Sequence, residues 1–314
     1  MQCPICLSRR YRVVAKKHTG YVEGTQFDIV ACDKCDSQFI VNDTDKSIYD
    51  IIYSNDGNAG YDRYYRFAIN IKQQSDPLKY LADQMATYFC VYKAISDGSL
   101  LDILDVGCGY GYLTYALRKA GHKTVGIDIS KKAIAFAKKQ FGDYFVTCDI
   151  IDYHPRKKYD LIIATELLEH LLRPIDAILA LTKMLKTGGR IIITTPNKDF
   201  FNRSAIWRTD LPPVHTVWLG RKSIMELSKR TGLSHRFINL SRYFGRAENR
   251  LLDFVSSRLD NHPRAILDAK GIPKPRNNIV RMVCVIKPIW WLMNYFGRLL
   301  IRDHPALGII LTNK

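Results

Sequence analysis

One stretch limits the fold of this 314-residue chain more than any other: Leu101-Asp-Ile-Leu-Asp-Val-Gly-Cys-Gly-Tyr-Gly111. An apolar run of strand length enters three alternating glycines, and Tyr112–Ala120 behind them reads as a helix. A strand that is apolar on both faces belongs inside a parallel sheet covered by helices. Glycines at its end let the backbone turn tightly and let a ligand lie against the main chain. The next helix points free N–H groups and the positive end of its dipole at that ligand.

The residues that follow repeat the pattern. Thr124–Ile127, Tyr144–Cys148, Leu161–Ala164 and Arg190–Thr194 read as strands, with Arg236–Leu240 and Leu307–Thr312 as the sixth and last. Ser130 is placed to cap a helix over Lys131–Phe141, and Gly188-Gly189 to stop one over Ile175–Leu185. Strand and helix in alternation predict an α/β fold with a doubly wound, Rossmann-like parallel sheet. Composition divides the chain into a cysteine-bearing segment (1–45), a helical lid or linker rich in tyrosine (46–99), the α/β core (100–245), a basic helical insertion (246–304) and a final core strand (305–314).

The glycine spacing restricts the ligand. A dinucleotide fingerprint needs Gly-x-Gly-x-x-Gly. Counted from Gly107 the third glycine falls on Tyr112, and counted from Gly109 on Thr114. Asp105-Val-Gly-Cys-Gly-Tyr-Gly111 instead resembles motif I of class I methyltransferases that use S-adenosylmethionine (SAM). A carboxylate at Asp105 suits the cationic amino group of SAM and would repel a pyrophosphate. Four later segments fit the same resemblance. Asp128, with Ile129, ends the second strand roughly 20 residues after the first glycine, where an acid accepts both ribose hydroxyls. Asp149, with Ile150, matches the residue that reads the adenine amino group. Thr165-Glu-Leu-Leu-Glu-His-Leu171 resembles the segment after strand four of ubiquinone-type enzymes, which brings Glu166 toward the cofactor. Leu185-Lys-Thr-Gly-Gly-Arg190 resembles the turn into strand five, with Thr187 where proline is usual. The resemblance covers residues 100–245 and the last strand, and it implies SAM held by Asp105, Gly107, Cys108, Gly109, Gly111, Asp128, Ile129, Asp149, Ile150 and Glu166.

Cys3-Pro-Ile-Cys6 and Cys32-Asp-Lys-Cys35 are two Cys-x-x-Cys knuckles in a short, strand-rich segment. Together they supply four thiolates for a tetrahedral structural Zn2+, with no ligand position left open for chemistry. So small a segment has little core of its own, and bound zinc contributes about 10–16 kcal/mol. Cys90, Cys108, Cys148 and Cys284 read as ordinary core or loop residues. A zinc ribbon ahead of such a core resembles methyltransferases of sugar and polysaccharide pathways, whose ribbon covers the acceptor side.

Methyl transfer to oxygen requires removal of a proton, which suits histidine near neutral pH. His170 follows strand four at the sheet edge where ligands bind. His215 lies in Asp210-Leu-Pro-Pro-Val-His-Thr-Val-Trp218, which resembles the family's Pro-Pro-His-His segment with Val214 in place of the first histidine. Glu169 stands beside His170 as an orienting or substitute carboxylate. Tyr49, Tyr53, Tyr61, Tyr64 and Tyr65 precede the core and resemble tyrosines that form a lid over SAM.

The formal net charge of +17 favours acidic partners without choosing among them. Arg276–Arg302 interleaves basic residues with Trp290, Trp291, Tyr295 and Phe296, a pattern for a helical cap or for peripheral contact with an anionic membrane. The first residues lack the apolar core of a signal peptide, and no apolar run reaches spanning length, so the expected location is the cytoplasm. The leading expectation is O-methylation of a sugar, glycan or lipid-linked small-molecule intermediate. A quinone or lipid acceptor at the membrane surface comes second. RNA methylation is third, since Thr195-Pro-Asn197 is not the Asn-Pro-Pro-Tyr type of signature and no RNA-binding motif is present. A non-catalytic SAM-binding protein comes last.

Overall fold

The computed structural model describes residues 1–42, 45–54, 62–95, 98–200, 211–243, 245, 264–274, 292, 295, 296 and 303–314. Cys284, Tyr61 and most of Arg276–Arg302 lie outside the described residues, as does the side chain of Tyr53. Among the described residues, no helix is long and apolar enough to cross a membrane.

Three strands open the chain: β1 (Tyr11–Thr19), β2 (Gln26–Cys32) and β3 (Gln38–Ile40). Four helices follow: α1 (Lys46–Ser54), α2 (Asp62–Asn70), α3 (Pro77–Gln84) and α4 (Ala86–Ala94). The core then runs β4 (Asp102–Val106), α5 (Tyr112–Lys119), β5 (Lys123–Asp128), α6 (Lys131–Phe141), β6 (Phe145–Thr147), β7 (Tyr159–Thr165), α7 (Pro174–Lys183) and β8 (Leu185–Pro196). It closes with β9 (Val217–Trp218), α8 (Arg221–Thr231), β10 (Ser234–Phe237) and β11 (Ala306–Thr312).

The seven-stranded sheet has the order β10-β11-β8-β7-β4-β5-β6. β6, β5, β4, β7 and β8 pair in parallel, while β11 is antiparallel to both β8 and β10. The chain winds outward from β4 to β6 and restarts at β7 on the other side of β4. The crevice between β4 and β7 is therefore the switch point at which such sheets bind ligands.

Side chains alternate across the central strands and both faces are buried. Leu104, Val106, Ile162, Ala164, Ile191, Ile193, Ile309 and Leu311 pack toward α7 and α8. Ile103, Leu161, Ile163, Ile192 and Ile310 pack toward α3, α4 and α5. This is the period-two pattern of a strand, made apolar on both sides by helices on both sides. Local signals set the helix starts. The Ser130 hydroxyl accepts from Ala133 N at 3.2 Å, and Asp76 accepts from Lys79 N at 3.0 Å with Pro77 behind it.

The helix expected over Ile175–Leu185, with Gly188-Gly189 as its stop, ends at Lys183, and the glycines lie inside β8. Gly188 takes φ +74°, and a Cβ on Gly189 would stand 2.8 Å from the Lys186 carbonyl oxygen. The register with β7 jumps from Tyr159–Leu185 to Leu161–Arg190. The pair makes a bulge in a strand, where glycine tolerates a backbone no side chain could share.

A second sheet has the order β1-β2-β3-β9. Its fourth strand comes from residues that composition groups with the α/β core. One face of this sheet, through Cys3, Cys6, Val30, Cys32, Cys35, Phe39 and Val217, joins the same apolar cluster as α7 and α8. The other face closes a small core of its own, with Phe27, Ile29, Ile40, Trp218, Leu211, Val214 and Leu267 among its members.

Candidate functional site

At the end of β4 the chain enters the glycine loop with left-handed backbone at Gly107 (φ +71°), Gly109 (φ +50°) and Gly111 (φ +78°). Gly107 N and Cys108 N both donate to the Ile127 carbonyl, at 2.9 and 3.1 Å, so β5 carries the loop. A Cβ on Gly111 would stand 2.6 Å from the Phe145 ring and 2.8 Å from Ala137 Cβ, so that glycine is required for packing. A Cβ on Gly109 would meet nothing within 4 Å. That glycine faces open space, where a ligand can lie against the main chain.

Six further residues expected at the cofactor lie in the loop or near the ends of β4, β5 and β6. Asp128 accepts from Gly109 N at 2.9 Å through one carboxylate oxygen and from Ser130 N at 2.8 Å through the other. Each oxygen keeps a lone pair for a further donor. Ile129, just beyond, is 71% exposed, an apolar side chain set in water past the end of β5. Asp149 is exposed and turns its own segment by accepting from Ile151 N at 2.9 Å, while Ile150 is buried. Asp105 lies behind the loop, 1% exposed, and accepts from the Thr114 hydroxyl at 2.6 Å. Burial pushes its carboxyl up to about 7. Cys108 is buried against Gly126, where a Cβ would stand 2.9 Å from its sulfur.

The tyrosines of the preceding region reach this loop. Tyr65 makes an edge contact with Tyr110 at 5.7 Å and lies 5.5 Å from Phe136. Tyr64 packs on the apolar cluster beneath, beside the Tyr88–Tyr112 pair whose hydroxyls are 2.5 Å apart. Tyr49 is half-buried on α1.

Across the crevice, β7 ends at Thr165 and Glu166 takes φ +49°, an unusual conformation for a side chain with a Cβ. The backbone is held there by Glu166 N donating to the Thr194 carbonyl at 2.9 Å. Its carboxylate accepts from the Thr87 hydroxyl of α4 at 3.0 Å. Leu167 leans over the glycine loop, its Cδ1 3.1 Å from where a Gly107 Cβ would be. A 3-10 turn over Leu168–His170 then carries Glu169, 1% exposed, and His170.

The structure brings His215 to this turn. The rings of His170 and His215 meet edge to face at 4.7 Å. Donor atoms of Glu169, His170 and His215 all lie within 4.8 Å of one another, a spacing that can move a proton or hold a divalent cation. The His170 Nδ1 lies 2.7 Å from the Val214 carbonyl oxygen, which can only accept. That contact requires a proton on His170 Nδ1. His215 is 7% exposed, and burial pushes it down to about 3, so it is neutral. Thr216, not foreseen from the sequence, ties the two segments: its N–H donates to the Glu169 carbonyl at 2.8 Å and its hydroxyl to the Leu171 carbonyl at 2.8 Å. Its position next to His215 was the only available signal.

The four cysteines of the knuckles form a second cluster. Cys3, Cys6, Cys32 and Cys35 are fully buried, with their sulfurs within 4.8 Å of one another. Cys3 and Cys35 are 3.5 Å apart and Cys6 and Cys32 3.4 Å. Sulfurs around a tetrahedral zinc stand about 3.8 Å apart. The hydrogen bond from Cys35 brings the Cys3 thiol down to about 5, within reach of a thiolate at neutral pH. Lys198, also missed from the sequence, has a side chain only 5% exposed and anchors the second knuckle through Asp36 at 2.8 Å. No local pattern marks a lysine whose partner is 162 residues away.

Comparison with known proteins finds the following relatives of this chain. A family model described as a methyltransferase domain matches residues 65–236, more than half of the chain. The ubiquinone biosynthesis O-methyltransferase of Aromatoleum aromaticum is 30% identical over 108 residues, covering 31% of this chain and 45% of that protein. The enzyme of the same description from Hydrogenovibrio crunogenus is 33% identical over 108 residues, covering 31% and 44%. The chain thus spans less than half the length of these curated relatives. Among solved structures, a SAM-dependent methyltransferase from Archaeoglobus fulgidus is similar at 18% identity and a TM-score of 0.47, covering 79% of this chain and 99% of that one. The N-methyltransferase NodS from Bradyrhizobium japonicum WM9, in complex with S-adenosyl-L-homocysteine (SAH), is similar at 16% identity and a TM-score of 0.43, covering 79% and 97%.

Proposed function

We propose that this chain, which belongs to the methyltransferase domain family, transfers a methyl group from SAM to an oxygen of a sugar, glycan or lipid-linked intermediate. The observation that carries this reading is the contact of two half-sites across the β4–β7 crevice. Leu167 touches the glycine loop, and the same short segment delivers Glu169 and His170 to His215.

On the cofactor side, Asp128 would receive ribose hydroxyls, Asp149, Ile150 and Ile129 would hold the adenine, Gly107, Cys108, Gly109 and Gly111 would supply main chain, and Asp105 and Glu166 would meet the cationic amino group. The open space at Gly109 and the exposed Ile129 support that fit. SAM, when bound, supplies an electrophilic methyl on sulfur, so the chain's task is alignment and proton removal. The acceptor proton goes to His170 Nε2, the nitrogen that carries the lone pair when Nδ1–H donates to Val214. His215 packs edge-on and holds that ring, and Glu169 stabilises the imidazolium that forms. Held down by burial, His215 is itself a weak base at neutral pH.

Cys3, Cys6, Cys32 and Cys35 hold structural Zn2+ in this reading. Four buried thiols in one cage, with no histidine or carboxylate grouped with them among the described residues, suit a closed tetrahedral ion.

The relatives named for ubiquinone biosynthesis favour a second reading, a quinone or other lipid acceptor reached at the membrane surface. Labelled methyl from SAM, followed into cell extract fractionated into glycan, lipid, RNA and small molecules, separates the two. Label in sugars or lipid-linked glycans supports the first reading, and label in quinones supports the second. Label in RNA overturns both and explains the charge. No label, with SAH bound, identifies a non-catalytic SAM-binding protein.

A further inference from the structure

The cysteine cage and the histidine pair look like separate sites, but a short, continuous set of hydrogen bonds connects them. Cys35 is followed by Asp36, Ser37 and then β3. The Ser37 hydroxyl lies 3.2 Å from the Cys3 sulfur and 3.1 Å from that of Cys35, and its carbonyl accepts from Cys32 N at 2.9 Å. β3 pairs with β9, Gln38 opposite Trp218 and Phe39 opposite Val217, and Ile40 N donates to the Thr216 carbonyl at 3.1 Å. Thr216 grips the Glu169 and Leu171 carbonyls, and Val214, two residues before it, accepts from His170 Nδ1.

The knuckle is clamped on its other side as well. Asp36 binds the buried Lys198 at 2.8 Å, and the Ser223 hydroxyl of α8 donates to the Cys35 carbonyl at 3.1 Å. Leu211 and Val214 pack in the small core of the N-terminal sheet together with Ile29, Ile40 and Trp218. The segment carrying His215 is thus built as part of that sheet. The glycine loop depends on different partners, the Ile127 carbonyl and the Asp128 carboxylate of β5.

We propose that the cage of Cys3, Cys6, Cys32 and Cys35 positions the histidine pair. With metal bound, the cage holds β3 on β9, β9 fixes the segment 211–216, and the Val214 carbonyl holds His170 as the Nδ1–H tautomer. A strand of three residues on a strand of two has few hydrogen bonds of its own, so its register depends on the knuckle beside it. Metal loss releases the strap and the tautomer and leaves the cofactor loop intact. The inference rests on reading the cysteines as metal ligands and the histidines as the proton-handling pair.

The test uses the full chain labelled with 15N in histidine, loaded with one zinc and then stripped by chelator under reducing conditions. The loaded protein is expected to show His170 as a single Nδ1–H tautomer. On stripping, the ring shifts toward the Nε2–H form that dominates in water. Amide exchange at Thr216, Val217 and Trp218 rises more than about tenfold, while the SAH dissociation constant moves less than about threefold. Lys198→Met, kept zinc-loaded, tests the link without stripping: metal stays, SAH binding stays, and exchange at Val217 and Trp218 rises. A stripped protein with an unchanged tautomer and slow exchange overturns the proposal. So does parallel loss of SAH affinity, which would make the cage a general scaffold. None of these readouts needs methyl transfer, so a failure of the transfer reading is separable, and zinc content tests the cysteine assignment alone.

Discussion

Gly109 and Asp128, which meet on the cofactor side of the crevice, are 19 residues apart in the chain, whereas His170 and Val214, which meet on the other side, are 44 apart. The cofactor side is a strand, a loop, a helix and the next strand in sequence. The acceptor side joins a turn after β7, a strap before β9 and a sheet from the first 40 residues. The first is held by hydrogen bonds within one βαβ unit. The second is held by pairings between distant segments, so its geometry depends on many separate parts. Contiguous construction suits the half proposed to bind a constant cofactor, and assembled construction lets the proposed acceptor half vary without disturbing it.

Substitutions that damage one half and spare the other sharpen this contrast. The largest effect is expected from His170→Ala: turnover should fall about 10³-fold with SAH affinity unchanged, read by initial rates and calorimetry. His215→Ala should lower turnover about 10²-fold, again with SAH affinity intact; full activity in both variants would move the proton to Glu169. Asp128→Ala should weaken SAH about 10²-fold or more and leave the slow exchange of Thr216–Trp218 as it was. Unchanged SAH affinity would remove the ribose assignment.

Gly111→Ala places a Cβ 2.6 Å from Phe145 at φ +78° and should lower unfolding stability by about 2 kcal/mol in urea titration. Asp105 gives a smaller, pH-dependent signature. Its free-state value near 7 means it is about half protonated at neutral pH, and a cationic amino group nearby lowers that value. Binding then releases a proton. Affinity for SAH should rise as pH climbs toward 7 and level off above it, and Asp105→Asn should flatten the curve. A wild-type affinity independent of pH between 5.5 and 7.5 would remove Asp105 from the amino-group contact. The smallest effect belongs to Thr216→Val, which loses the hydroxyl's contacts with the Leu171 and Glu169 carbonyls, about 1 kcal/mol, and should slow turnover severalfold without touching SAH binding.

The same contrast explains what the sequence made legible. β4, β5, β7 and β8 announce themselves because an apolar run bounded by turns has one good use, the middle of a covered parallel sheet. Asp128 and the glycines are legible because their partners lie within one βαβ unit. The sequence marks His170, Glu169 and His215 one by one but not their meeting, since nothing local tells residue 170 that residue 214 will accept from its ring. β9 has two residues, too few for any periodicity, and its pairing with β3 exists only in three dimensions. Gly188-Gly189 misled for a physical reason: glycine marks a left-handed residue equally in a helix stop and in a strand bulge. The basic stretch Arg276–Arg302 lies largely outside the described residues, and its partner is a matter for experiment.

β11 occupies the place between β8 and β10, although the chain must pass through residues 238–305 before reaching it. On the ribosome, β8 therefore emerges with one edge bare, and β10 waits without its neighbour in the sheet. Until residues 306–312 arrive, the nascent chain presents a row of open N–H and carbonyl groups on the apolar strand Ile191-Ile192-Ile193, a template for pairing with any passing strand. A change in the last strand would therefore be felt during synthesis as well as in the stability of the finished fold.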